Sequence, residues 1–127
     1  MKSEDKQYAL TVITNILKVM HSKEYENILN YVDESEVDDI GELFYYVQET
    51  LNLNGFDSFD EYGAPCNFHP KYEYSQINFY EFNDNSGFAV DFDLTSNSKL
   101  ADMCLQMDFL YMDDGLKSVF ITPTVKQ

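Results

Sequence analysis

Phe88-Ala89-Val90-Asp91-Phe92-Asp93-Leu94 alternates apolar side chains with small or acidic ones, and its reading decides the fold. A period of two is that of a strand with one face on a core and the other on water. Phe88, Val90, Phe92 and Leu94 therefore point inward, with Ala89, Asp91 and Asp93 solvated. Downstream, Ala101, Met103, Leu105, Met107, Phe109 and Tyr111 alternate with Asp102, Cys104, Gln106, Asp108 and Leu110 in one long strand whose length permits curvature. Asp113-Asp114-Gly115 is a hairpin turn, and Leu116 to Thr122 return as a strand before Pro123. Upstream, Tyr74, Gln76, Asn78, Tyr80 and Phe82 alternate with Ile77 and Phe79, and a turn follows over Asn83 to Gly87. Four antiparallel strands are predicted.

The period changes to three and four before Asn52. Leu10, Ile13, Leu17 and Met20 predict a helix over residues 6 to 21. Ser22 then caps a second helix carrying Tyr25, Ile28, Leu29 and Val32 and ending near Glu34. A capping pair, Ser35 with Asp38, opens a third helix from Glu36 to Asn52, with Val37, Ile40, Leu43, Phe44, Val47 and Leu51 as its stripe. Residues 52–71 form a long, partly packed connection with Gly55, Gly63, Pro65 and Pro70, and a short helix is expected at Ser58 to Tyr62. Helices first and a strand meander afterwards give an α+β fold, three N-terminal helices packed on a curved four-stranded antiparallel sheet. Residues 1–127 read as a single domain, because either layer alone buries too little apolar surface.

Charge narrows the function. Asp and Glu total 23 against eight Lys, with no Arg, for a net charge of −15. Phosphate neutralisation needs a basic face, so neither a nucleic acid nor an anionic membrane is an expected partner. The absence of Arg also removes the bidentate clamp for phosphate and carboxylate substrates. Between Lys23 and Lys71 there is no cation, while twelve carboxylates run from Glu24 to Glu61. Such crowding costs stability by self-repulsion and is consistent with steering a basic protein partner. The charged N-terminus, Met1 to Lys6, with no apolar run after it, and the lack of an apolar span predict a cytoplasmic protein with reduced cysteines, Cys66 and Cys104.

Enzyme and metal motifs are weak throughout. His21 closes a helix and His69 precedes Pro70, neither beside a second His or a cysteine pair, so no metal and no cofactor is expected. Cys66 with His69, and Asp91 with Asp93, Asp102 or Asp108, are the available nucleophilic and carboxylate combinations. Asp91 and Asp93 read more simply as a wet sheet face. Ten Tyr and ten Phe exceed one small core, and tyrosines beside carboxylates suit a tight protein interface, in which a rigid ring anchors while charges steer. Tyr25, Tyr31, Tyr45, Tyr46 and Tyr62 are candidate anchors. The expected binding set is Asp33, Glu34, Asp38, Asp39, Glu42, Tyr45, Tyr46 and Glu49.

The run Phe88-Ala-Val-Asp-Phe-Asp-Leu-Thr95, followed by Lys99-Leu-Ala-Asp-Met-Cys-Leu-Gln-Met-Asp-Phe109, resembles a segment of small bacterial immunity proteins of contact-dependent growth inhibition systems. The resemblance implies an N-terminal helical layer on a curved sheet, similar to the cystatin or nuclear-transport-factor class. It also implies stoichiometric binding and neutralisation of a cognate toxin, often a basic nuclease. The matched residues are structural, so no binding site is carried over from them. Two other readings stay open. One is an acidic nucleic-acid mimic or antitoxin-like regulator; the other is a small enzyme or ligand-binding domain with a pocket between helices and sheet, using Asp91 or Asp102 as a base. The oligomeric state is left open by the exposed strand edges.

Overall fold

The computed structural model describes residues 1–61 and 76–125, so Tyr62, Cys66, Phe68, His69 and Tyr74 lie outside the described residues. The fold is α+β. Helix α1 is Ser3–Ser22, a 3-10 helix covers Tyr25–Asn30, β1 is Glu34–Ser35, and α2 is Ile40–Leu53. Strands β2 (Ile77–Glu81), β3 (Gly87–Ser96), β4 (Lys99–Met112) and β5 (Gly115–Val125) follow. Among the described residues the sheet has five strands in the order β1-β5-β4-β3-β2, antiparallel except for the parallel β1–β5 pair.

The alternation predicted for β3 holds from Phe88 through Phe92 and fails at Asp93, which is buried. Phe88, Val90, Phe92 and Leu94 are all buried, the first three opposite the buried Phe109, Met107 and Leu105 of β4. Asn97 and Ser98 turn β3 into β4 with positive φ at both, the hand that matches strand twist. Asp113 and Asp114 join β4 to β5, with Gly115 taking a φ of +133°. Strand β5 runs on through Pro123, beyond the predicted end; β1 covers only Val119 and Phe120, so Pro123 sits on an edge, where a missing N–H is tolerated. At Gly87 a Cβ would collide with the Phe109 carbonyl oxygen, so only glycine lets β3 approach β4 there.

Four sequence expectations are corrected. The predicted second helix is only the 3-10 turn Tyr25–Asn30, because the chain then extends to reach the sheet edge. The predicted third helix starts at Ile40 rather than Glu36, and its N-cap is Asp39, whose Oδ1 accepts from the Glu42 N–H at 3.0 Å. Ser35 instead closes a local turn with Val37. Residues 34–35 add a fifth, parallel strand to the predicted four-stranded antiparallel sheet. The expected short helix is also absent from residues 58–61.

Both helices lie on one face of the sheet. Ala9, Ile13, Ile16, Leu17 and Met20 of α1 join Phe44 and Leu51 of α2 and Phe88, Phe109 and Phe120 of the sheet in one buried cluster. Phe44 stacks on Tyr25 at 4.3 Å between ring centroids and meets Phe120 at 6.3 Å. Tyr25 donates to Gln48 Oε1 at 2.9 Å, and burial, with the Asp57 charge second, holds its phenol above the ordinary value. Residues 57–61 are strapped down: Lys23 pairs with Asp57 at 3.3 Å, and the Asp60 carboxylate accepts from the Asn97 and Ser98 N–H groups at 3.1 and 2.8 Å. Among the described residues no helix is long and apolar enough to cross a membrane.

Candidate functional site

The eight residues of the expected binding set divide into two groups. Asp33 and Glu34 are engaged at the sheet edge. The Asp33 carboxylate accepts from Ser118 N–H at 2.9 Å and lies 3.2 Å from its hydroxyl, while the Asp33 N–H donates to the Ser118 carbonyl at 3.1 Å. Glu34 pairs with Lys117 at 3.1 Å. Asp39 is a helix cap and Asp38 is exposed just before it. These residues hold the approach to α2 in place.

The second group is on the helix. Ile40, Phe44, Val47 and Leu51 fill one side of α2 and are buried, which turns Glu42, Tyr45, Tyr46 and Glu49 to solvent because residues two apart stand about 200° apart around a helix. Tyr45 is 64% and Tyr46 58% exposed, and their rings meet edge to face at 5.5 Å. Among the described residues no cation pairs with Glu42 or Glu49. Leu53, 86% exposed, extends the same face by a turn. Sequence reasoning missed Leu53, although its spacing of four from Glu49 was available.

Two adjacent tyrosines offer flat, amphipathic area with few rotatable bonds, and flanking carboxylates add field without competing for the rings. The inner stripe fixes the helix, so the outer side chains are presented on a rigid element.

The other candidates are dispersed. Tyr25 is packed under α2 and is no anchor, whereas Tyr31 is 46% exposed at the end of the 3-10 helix. Asp93, read as solvated, is buried at 5% exposure, next to the point where the β3–β4 register shifts, three β4 residues standing against one of β3. Asp91 lies on the outward sheet face with Asp108 and Glu36 around a shallow depression; partial burial, then Glu36 and Asp91, push the Asp108 carboxyl above the ordinary carboxylate range. Asp102, with φ +59°, lies within the register shift of β4 and is exposed, away from Asp91, whose partner on β4 is Gln106. No group of three or more metal-ligating side chains occurs among the described residues. His21 Nδ1 lies 2.7 Å from the Phe59 carbonyl, with Glu61 3.7 Å from Nε2, which ties α1 to the strap.

No curated protein and no solved structure matches the chain. Residues 17–123, from the second half of α1 into β5, match a family described as a domain of unknown function, DUF7668. The match covers most of the chain and includes α2 and strands β1 to β4, so the chain belongs to the DUF7668 family.

Proposed function

We propose that this chain is an immunity-type protein, a non-enzymatic inhibitor that binds one cationic toxin domain of the nuclease kind and neutralises it by stoichiometric occupancy in the cytoplasm. The observation that carries the reading is the exposed Tyr45–Tyr46 pair between Glu42 and Glu49 on a helix anchored by its opposite side. In this reading the helical layer lies on the sheet as in cystatin-like or nuclear-transport-factor-like domains, and its free side is the binding side. The acidic interval from Glu24 to Glu61 speeds encounter with a basic partner, and the tyrosines slow its departure. No cofactor takes part, and neither nucleic acid nor membrane is bound, because a net charge of −15 repels both.

The test is a tagged pull-down from the native host at about physiological ionic strength and at several-fold higher salt. One basic protein retained at equimolar amount through the salt wash, whose toxicity the chain relieves on co-expression, is the expected result. Many basic proteins that wash off together would instead indicate a phosphate mimic. Measured turnover abolished by Asp91→Asn would overturn the reading in favour of an enzyme.

A further inference from the structure

Helix α2 carries one spacing twice. Ile40, Phe44, Val47 and Leu51 follow one another at four, three and four residues and pack the core. Glu42, Tyr46, Glu49 and Leu53 repeat that spacing two residues later, on the solvent side. Four-three-four is the spacing of a helix seam, the row that meets a second helix crossing at about 20°. The inner row has its partner within this chain, and the outer row has none among the described residues.

We propose that the outer row of α2 is a docking seam for a cationic amphipathic helix of the partner. This rests on the reading of α2's outer face as the binding surface, and adds what the partner presents. Glu42 and Glu49 stand seven residues apart, about 10.5 Å of helix rise. A second helix with Lys or Arg at positions seven apart matches that distance, because both rise equally per residue. Apolar side chains between and beyond those cations meet Tyr46 and Leu53, and Tyr45 covers the flank. Charge complementarity selects this occupant over a second copy of the chain. Parallel self-pairing opposes carboxylate to carboxylate, and antiparallel self-pairing sets each carboxylate on Tyr46 or Leu53, where it loses water without gaining a partner.

The probe is a capped, alanine-based helical peptide of about 18 residues with two lysines seven apart and leucines at the interleaved seam positions. The control peptide has the same composition with the lysines at adjacent positions. Binding to the full chain is followed by fluorescence anisotropy at about 50 mM and about 300 mM salt. The seam peptide is expected to bind about tenfold tighter than the control. Glu42→Lys with Glu49→Lys should remove that preference and transfer it to a peptide with glutamates in place of lysines. Tyr46→Ala should weaken binding about tenfold with the salt dependence unchanged. Equal affinity for both peptides, or none for either, would overturn the seam while leaving neutralisation of a cationic protein to the pull-down. Salt-induced dimerisation that Leu53→Ala abolishes would overturn it in favour of a second copy.

Discussion

The two faces of α2 share a spacing and differ in everything else. The inner face reads Ile40, Phe44, Val47, Leu51 and is buried; the outer reads Glu42, Tyr46, Glu49, Leu53 and is exposed. Periodicity alone specifies a helix and says that two rows exist. Which row packs is decided by transfer free energy, since carboxylates do not desolvate against a core and aliphatic side chains do. The outer row keeps Tyr46 and Leu53 in water.

The sharpest way to break the comparison is Phe44→Ala. It removes a ring stacked on Tyr25 and packed near Phe120, and should cost about 3–5 kcal/mol in urea unfolding. A loss under about 1 kcal/mol would mean that the inner row does not anchor the helix. Asp33→Ala comes next, at about 1–3 kcal/mol, because it leaves the N–H of the buried Ser118 without its carboxylate acceptor. Its affinity for the seam peptide should be unchanged, which separates the edge clasp from the binding face. Tyr45→Ala with Tyr46→Ala should shift stability by no more than about 0.5 kcal/mol while abolishing most binding. If the double variant unfolds instead, the outer row is structural.

The smallest expected effect is at Asp108. Its carboxyl is held above the ordinary range, so the folded chain binds that proton more tightly than the unfolded chain does. Its contribution to stability therefore falls as pH rises from the ordinary carboxylate value through the raised one, and the penalty is fully present above the raised value. Asp108→Asn should leave stability at neutral pH equal or higher by up to about 0.5 kcal/mol and flatten its fall across that window. A steeper fall in the variant, measured by thermal unfolding at several pH values, would reverse the assignment.

Much of this is legible in the sequence. Strands β3 and β4 could be read from alternation because one face is buried and the other is not, and each residue apart from Asp93 and Cys104, near the register shift, reports its own side. The inner row of α2 was equally plain. The start of α2 was not: Ser35 with Asp38 and Asp39 with Glu42 have the same spacing, and only the pull of residues 33–36 into the sheet selects the second. Strand β1 has two residues and no period to read; it exists because the Asp33 and Glu36 N–H groups find carbonyl oxygens on β5.

The candidate site divides along the same line. Sequence by itself determined the acidic excess, the missing Arg, the tyrosine pair and the helix that carries it, because composition and local spacing are properties of the chain alone. Tertiary structure alone decided that Asp33 and Glu34 are spent on Ser118 and Lys117 while Glu42 and Glu49 keep their charges for solvent. These partners lie more than eighty residues away along the chain, and no local pattern encodes which carboxylates folding will bring to them.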